Sequence, residues 1–427
     1  SHYMGVVEIY RTTGEARYLE LAVNLIEIRD LFKEGGDDNQ DRVPLREQSE
    51  AVGHAVRANY LYAGVADVVT ETGDESLLKT LFTLWESVVG LKMYVTGACG
   101  ALFDGASPYG SKDQATIARV HQAYGRPYEL PNVTAHNETC ASIGNALWNW
   151  RMLQLTGEAR FADVLERVLY NSLLSGISLD GKKFFYTNPM RVLSYAYSLS
   201  DGDDSSDGAV WVNLYGASVL DTRLPNGARI ALEQETDYPW EGRVSILIRA
   251  TEAPHFALML RIPGWAESAA VTVNGQPAGV EARPGEYCGI RREWSVGDVV
   301  EIDFPMAARL LEANPLVEET LNQVAIQRGP VVYCLESADL PEGVRVLDVR
   351  IPAEIELRPR FDSRLFGERV VILKGQAERI PQGDWSHWLY RDLWDPQPIK
   401  IDIRLVPYYA WGNRAEGEMT VWIPLSR

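Results

Sequence analysis

The chain has 427 residues and a formal net charge of −18, and 46% of its residues are hydrophobic. A chain of this length can form two or three domains with a sizeable buried core. Its negative charge makes nucleic acid and anionic membrane surfaces poor partners but does not exclude neutral sugars. The sequence contains no run of about 18 apolar residues, the length that a membrane-spanning helix needs.

The cysteines and aromatic residues give further indications. The four cysteines are far apart and do not form the close pairs of a disulfide framework, which favours a reducing cytoplasm; they are Cys99, Cys140, Cys288 and Cys334. The first residues do not have the pattern of a signal peptide, an observation that bears on export only if the sequence begins at the protein's true start. The 12 Trp and 20 Tyr are compatible with carbohydrate binding, because aromatic faces stack on sugars, although core packing accounts for most of them. A homodimer is compatible with the sequence.

A repeated helical pattern occupies the first 200 residues. Three segments each read as an apolar helix, then T-G-[ED], then an amphipathic helix. Gly14, Gly73 and Gly157 are predicted to end the first helix of each segment, and the following acidic residue favours the start of the next. The sequence therefore predicts three helical hairpins.

Repeated hairpins form either an α-solenoid or a closed α/α barrel. Long irregular inserts separate the hairpins, including residues 94–134, and an α/α barrel commonly builds its pocket from such inserts. We therefore predict an (α/α)6-type barrel over residues 1–200. Six hairpins would close it and three are clear, so we expect this domain to be incomplete in the present sequence.

The third hairpin is preceded by an irregular loop that delivers polar residues to a helix start. Two prolines bar a helix from the first half of residues 125–157, and the helix is predicted to begin near Asn137. Thr134 or Asn137 can cap that start, and Glu138 is predicted to lie in the first turn, where the helix dipole favours a carboxylate.

Glu138 and Cys140 are two residues apart at this helix start, so both can reach one metal ion, and their oxygen and sulfur atoms suit zinc. The E-x-C spacing alone is weak evidence, because a lone cysteine near apolar residues is more often a small core residue. Two more ligands are required.

His54, near the start of an apolar helix, is by itself more typical of a structural histidine.

The pattern changes at Ala209. Apolar and polar residues alternate in successive short segments with N-G and P-G turns between them, which predicts a β-sandwich over residues 209–312. Residues 313–427 show the same alternation and predict a second β-sandwich. The predicted fold class is thus multidomain α+β, an (α/α)6-type barrel followed by two β-sandwich domains.

Several motifs in one order then resemble a known family. They are EAVGHAVRANYLYAGVADV, YVTGACGALFDG, RPYELPN, AHNETCASIGNALWNWRML, FFYTNP and VWVNLYGAS. Together they resemble glycoside hydrolase family 127, the β-L-arabinofuranosidases and their relatives. The resemblance extends over residues 46–189 and resumes at 210–218.

The resemblance implies a zinc-dependent retaining glycosidase whose nucleophile is a Cys thiolate and whose acid/base is a Glu. It implies that zinc is held by Glu138 and Cys140 together with a Cys-Cys pair in a later segment similar to C-C-P-P-N. It also implies that the sugar pocket includes His54, His136, Glu138 and Tyr186.

The Cys-Cys pair is the first departure from the family pattern. It would lie after FFYTNP and before VWVNLY, yet only RVLSYAYSLSDGDDSSDGA lies between them. Either the protein has lost its nucleophile or the sequence lacks residues of the whole protein; we favour the second explanation. The resemblance also implies a long N-terminal portion that supplies part of the pocket, whereas the present sequence begins with SHYMG inside a helical pattern.

The acid/base is the second departure. The resemblance places a Glu at a position near His121 and Gln122, where this chain has no carboxylate, and the nearest carboxylate is Glu129. These three residues are the acid/base candidates.

The sequence therefore predicts an exo-acting retaining glycosidase that releases terminal β-L-arabinofuranose or a related sugar, with zinc as cofactor and Cys140 as a ligand and not the attacking group. One alternative is another α/α-barrel sugar enzyme without zinc, such as an unsaturated-uronyl hydrolase or a sugar epimerase. The other is a relative that binds a glycan without cleaving it.

Overall fold

The structure is a computed structural model. It describes residues 2–32, 35–106, 119–182, 197–200, 208–253, 255–367, 369–383, 390, 392–414 and 417–426. Within these ranges no helix is both long and apolar enough to cross a membrane. The chain combines a helical first part with a second part built from β-strands, so it is a mixed α+β protein.

The described part of the first 182 residues contains six α-helices, arranged as the three predicted hairpins. They are α1 (His2–Thr13), α2 (Ala16–Glu27), α3 (Ala55–Thr72), α4 (Glu75–Leu91), α5 (Thr139–Thr156) and α6 (Ala159–Arg167). Gly14, Gly73 and Gly157 all have left-handed φ angles of 69–70° at the ends of α1, α3 and α5, as predicted. Closure into a six-hairpin barrel stays a prediction.

The start of α5 differs from the prediction. The helix begins at Thr139, and the residue before it is Glu138, whose side chain makes no capping hydrogen bond within the described residues. Neither Thr134 nor Asn137 therefore caps α5. Asn137 has a left-handed φ of 43°, which turns the chain two residues before the first helical residue, Thr139, and moves Glu138 out of the first turn.

Helices α3 and α5 are the centre of the helical part. At Gly144 of α5, an added Cβ would lie 2.8 Å from the Asn59 Cβ and 2.9 Å from the Tyr60 ring of α3. Beyond this contact, Tyr62 and Trp148 pack with their ring centroids 4.9 Å apart. The close approach depends on glycine and aligns the amino-terminal ends of both helices.

A short hairpin lies beside those helix ends. Its strands are β1 (Leu102–Ala106) and β2 (Arg119–Ala123), which are antiparallel, with Asp104 opposite His121. His54, the residue before α3, forms an isolated bridge with Ala123 at the end of β2. The hairpin is therefore attached to the start of α3.

The middle part consists of two sheets that share one core. Its strands are β3 (Tyr197–Ser200), β4 (Ala209–Val212), β5 (Ser218–Arg223), β6 (Arg229–Thr236), β7 (Arg243–Thr251), β8 (His255–Arg261), β9 (Ala270–Val273), β10 (Gln276–Pro277), β11 (Tyr287–Glu293) and β12 (Val299–Asp303). The sheet orders are β10-β9-β12-β7-β6-β5 and β11-β8-β4-β3. Side chains from both sheets, such as Ile246 and Leu258, lie in the same buried cluster, which is a sandwich arrangement. β3 lies within the range assigned above to the helical domain, but it pairs with β4.

The carboxyl-terminal strands form a ring where the sequence predicts a second sandwich. They are β13 (Ala308–Leu311), β14 (Gln323–Arg328), β15 (Val331–Glu336), β16 (Val349–Pro352), β17 (Arg358–Asp362), β18 (Val370–Arg379), β19 (Ile399–Pro407), β20 (Met419–Thr420) and β21 (Ile423–Ser426). Hydrogen-bonded neighbours run β14-β15-β19-β18-β16-β21 and return to β14. A β-sandwich and a closed ring of strands both contain alternating apolar residues, so the alternation alone does not distinguish the two architectures.

Polar contacts join the three parts. Arg261, a fully buried residue of β8, donates hydrogen bonds to Asp163 and to Glu166 of α6. Asn171, just beyond α6, donates from its side-chain amide to the Pro330 carbonyl and accepts from the Val332 N–H, both at about 2.9 Å or less. Both β-rich parts are therefore attached directly to the α6 region.

Candidate active site

The predicted site residues meet where α3 and α5 begin. His54 precedes α3, Glu138 precedes α5, and the two helices are packed together. The Glu138 carboxylate is close enough to the His54 imidazole to act on its pKa. The two side chains therefore face the same region, although they are far apart in sequence.

Glu138 is the most buried of these residues, with 4% of its surface exposed, and His136 is 6% exposed. The His136 Nε2 and Glu138 Oε2 atoms are 3.6 Å apart. Both atoms are buried, and apart from this mutual contact neither has a hydrogen-bond partner among the described residues. Buried polar atoms without partners are costly in a native protein, so their clustering indicates a place where a ligand belongs.

The Cys140 side chain lies within hydrogen-bonding reach of Glu138. Burial, followed by the neighbouring carboxylate, raises the pKa of the Cys140 thiol to about 11. With the surrounding protein alone, the thiol is therefore protonated at neutral pH.

His54 pairs with Gln122. The two side chains are hydrogen-bonded, while the His54 Nδ1 atom is buried without a partner in the described part of the chain. Burial lowers the pKa of His54, and burial also lowers that of His136 against the opposing effect of Glu138. Both imidazoles are thus neutral at pH 7 and can hydrogen-bond to uncharged groups.

The three acid/base candidates have different surroundings. His121 Nδ1 is 2.8 Å from Asp104 Oδ1, and its side chain is 69% exposed. Gln122 has a left-handed φ of 53° and faces His54. Glu129 is exposed and accepts the N–H of Arg126 at 2.8 Å, so it stabilises its own turn.

Two aromatic residues at the site were not predicted from the sequence. Phe103 is 59% exposed, and its ring centroid is 5.3 Å from His136 and 6.3 Å from His121. Tyr60 is close enough to Cys140 and Glu138 that burial and those two groups raise its pKa. The sequence spacing does not mark Tyr60, because six residues along a helix turn it about 240° away from His54.

The donor atoms at the site match part of a zinc-binding set. The unpartnered Glu138 carboxylate oxygen and the adjacent Cys140 thiol are donors that zinc accepts, but a catalytic zinc takes three protein ligands. Across the described ranges, no group of three metal-binding side chains is present. Cys99 is buried 3.3 Å from the Asn59 side-chain nitrogen, and Cys288 and Cys334 lie in the β-rich parts. The chemical types of these donors therefore suit zinc, and two of the three protein ligands that a catalytic zinc takes are present among the described residues. Tyr186 lies outside the described residues.

Three family models match consecutive parts of the chain. They are the β-L-arabinofuranosidase GH127 catalytic domain over residues 1–207, the GH127 middle domain over 209–306 and the glycoside hydrolase family 127 C-terminal domain over 308–424. Together they account for nearly the whole sequence.

Individual relatives agree with these models. A non-reducing end β-L-arabinofuranosidase from Bifidobacterium longum subsp. longum is 32% identical, with 98% of this chain and 70% of that protein covered. That alignment spans 493 residues, more than the 427 of this chain, so the relative contains residues within the matched region that this chain lacks.

Solved structures extend the comparison. A structure described as a glycoside hydrolase is 51% identical with a TM-score of 0.93, and the match covers 100% of this chain and 75% of that one. The GH127 β-L-arabinofuranosidase Ara127N from Geobacillus stearothermophilus T6 is 35% identical with a TM-score of 0.86, covering 99% and 72%. The identities and coverage establish common descent over all three parts, and the chain belongs to glycoside hydrolase family 127 and is a glycosidase that acts on a carbohydrate.

Proposed function

We propose that the protein is an exo-acting, retaining glycosidase that releases terminal β-L-arabinofuranose. The relatives named above support this sugar. The observation that carries the proposal is the group of buried polar atoms without partners on His54, His136 and Glu138, gathered at the starts of α3 and α5. Sugar hydroxyls both donate and accept hydrogen bonds, so a sugar bound here would pair with the two neutral imidazoles and the carboxylate.

Zinc is the cofactor we propose, with Glu138 and Cys140 as two of its ligands. Bound zinc would supply positive charge that keeps a coordinating thiol deprotonated at neutral pH. Without a metal, the pKa of the Cys140 thiol is raised. Bound zinc would lower that pKa, so the metal and the thiolate would stabilise each other.

Retaining chemistry requires a nucleophile and an acid/base on either side of the sugar carbon. We propose that Cys140 is a zinc ligand and that the nucleophile is a thiolate of the Cys-Cys pair implied by the family resemblance, which the present sequence lacks. For the acid/base, Gln122 lies beside His54 and the His121–Asp104 pair is more distant, across Phe103 from His136. An amide donates a hydrogen bond but has no proton to transfer, so we assign Gln122 to holding His54 and the leaving-group oxygen.

We also propose a reducing, cytoplasmic location, because all four cysteines are free thiols and three of them are buried. Thiol titration of the denatured, freshly purified protein should find every cysteine free, including Cys99, Cys140, Cys288 and Cys334. Fewer thiols, restored by reduction, would argue for an oxidising compartment.

The test of the function combines metal analysis with a sugar assay. We expect about one zinc per chain, its loss in Cys140→Ser, and its retention in the control Cys288→Ser, whose thiol lies in the middle sandwich. Proton NMR should show β-L-arabinofuranose as the first product, which defines retention.

Absence of zinc together with cleavage of another glycoside would favour a zinc-free sugar enzyme. Sugar binding without any cleavage would favour the glycan-binding alternative. Inversion at the sugar carbon would refute the retaining proposal.

A further inference from the structure

A cleft separates the loop before α5 from the carboxyl-terminal ring of strands. Its volume is about 720 Å³, and residues from both parts line it. A smaller cavity of about 270 Å³ shares Tyr94, Asn132 and Trp422 with it, so the two spaces have a common wall. We call the two together the interdomain cleft.

The lining of the interdomain cleft is chemically mixed in a way that suits sugars. Aromatic rings come from Tyr94 on one side and from Tyr408 and Trp422 on the other, and Gln323 adds an amide. Aromatic faces pack against the C–H faces of sugars, while amides bond their hydroxyls. At the lining, Leu347 is 63% exposed, so apolar surface is available to a ligand.

The charges in the cleft favour a neutral ligand. Glu319 accepts the N–H of Asn132 at 2.8 Å, and Glu418 is paired with Arg345. Both carboxylates are thus held in place as hydrogen-bond acceptors, and because Arg345 offsets the charge of Glu418, it is Glu319 that would repel an anionic ligand. An uncharged oligosaccharide meets no such penalty.

The cleft adjoins the candidate active site at His136 and Asn137. Both residues line the cleft, and His136 also lies 3.6 Å from Glu138. The Asn137 Oδ1 and His136 Nε2 atoms are buried without hydrogen-bond partners in the described part of the structure. One ligand could therefore occupy the sugar pocket and extend into the cleft.

We infer that the interdomain cleft binds the remainder of a neutral oligosaccharide, on the leaving-group side of the terminal sugar. This inference rests on the proposed function for the identity of that terminal sugar. It gives the carboxyl-terminal ring a direct part in substrate choice, because Tyr408, Trp422 and Leu347 belong to that ring and its loops.

Calorimetric titration with uncleavable thio-linked ligands tests the inference. The ligands are a methyl thio-arabinofuranoside and a thio-linked arabino-oligosaccharide of three or four sugars. We expect Trp422→Ala and Leu347→Glu to weaken oligosaccharide binding by roughly tenfold and to leave monosaccharide binding within about twofold. The matched control is Val219→Glu on β5, which is 64% exposed and lies outside the cleft lining.

Leu347→Glu changes an exposed side chain, so it keeps the test valid if Trp422→Ala fails to fold. Equal oligosaccharide affinity in all variants would overturn the inference, as would an oligosaccharide that binds no better than the monosaccharide. Hydrolysis assays on O-linked substrates separate the two proposals. Cleft-dependent binding without arabinose release would refute the proposed function alone, whereas arabinose release without any length preference would refute the cleft alone.

Discussion

At the scale of single residues, the amide of Gln122 beside His54 is the feature with the largest expected effect on catalysis. A carboxyl group at this position would have a proton to transfer, and general acid–base groups contribute about 10²–10⁴-fold to rates. We expect Gln122→Glu to raise kcat by roughly 10²-fold on arabinofuranosides with poor leaving groups. The measurement is steady-state kinetics against wild type.

The comparison variant is His121→Gln, which keeps the hairpin but removes the pairing with Asp104. If His121→Gln lowers kcat by about 10²-fold and Gln122→Glu has no effect, the His121–Asp104 pair supplies the acid/base, and a carboxyl group at position 122 adds nothing to catalysis. The variant Glu129→Gln tests the third acid/base candidate, Glu129, whose carboxylate accepts the Arg126 N–H.

At the scale of elements, the contact between α3 and α5 depends on Gly144. A Cβ at this position would lie 2.8 Å from the Asn59 Cβ, closer than real Cβ contacts allow. We expect Gly144→Ala to lower the free energy of unfolding by roughly 1–3 kcal/mol, the usual cost of overpacking. Gly5→Ala in α1 is the control, because its Cβ would meet nothing within 4 Å among the described residues, and it should stabilise slightly. Urea unfolding measures both, and equal effects would contradict the packing argument.

Helix α4 provides a second prediction at this scale. Asp74 precedes α4, and its carboxylate accepts N–H bonds from Ser76 and Leu77. Burial alone would raise the pKa of Asp74, but hydrogen bonds from α4 and the Arg46 guanidinium lower it to about 2. We expect Asp74→Ala to cost about 1 kcal/mol at neutral pH.

The pH dependence of this contribution has a definite sign. Since the folded-state pKa of Asp74 lies below its ordinary value of 3.8, the stabilisation is complete above pH 3.8 and disappears as the pH falls through 2. The difference between wild type and Asp74→Ala should shrink over that interval. Glu342→Ala, in an exposed turn, is the control, and a pH-independent difference would contradict the assignment.

At the scale of the whole molecule, Arg261 joins the helical part to the middle sandwich. It is 0% exposed and bonds the Asn213 carbonyl, Asp163 and Glu166. Removing one partner from a buried ion pair leaves an unpaired charge, at a cost of roughly 3–5 kcal/mol. We expect Arg261→Met to lower stability by about that amount and to separate the unfolding of the two parts into distinct calorimetric transitions.

Arg283→Met removes an exposed pair with Glu281 and should leave the unfolding profile unchanged. A single unshifted transition for Arg261→Met would contradict the role of this junction.

The sequence by itself determined the local structure, because local structure depends on residues that are close along the chain. The three hairpins and their glycine ends follow from 3.6-residue periodicity and from the left-handed angles that glycine adopts readily. The alternating segments after residue 209 similarly identify strands. The position of Glu138 and Cys140 at a helix start was also predictable, although the cap residue was not, since the left-handed turn at Asn137 shifts the start.

Only the tertiary structure decided which distant residues meet. The pairing of His54 with Gln122, the placement of Phe103 between His121 and His136, and the ring formed by the carboxyl-terminal strands each join segments that are well separated along the chain. Such contacts are selected by packing and by strand pairing, which short-range spacing does not record. The interdomain cleft is the clearest case, because its two walls come from residues 90–137 and residues 311–422, and it exists only when those parts are docked.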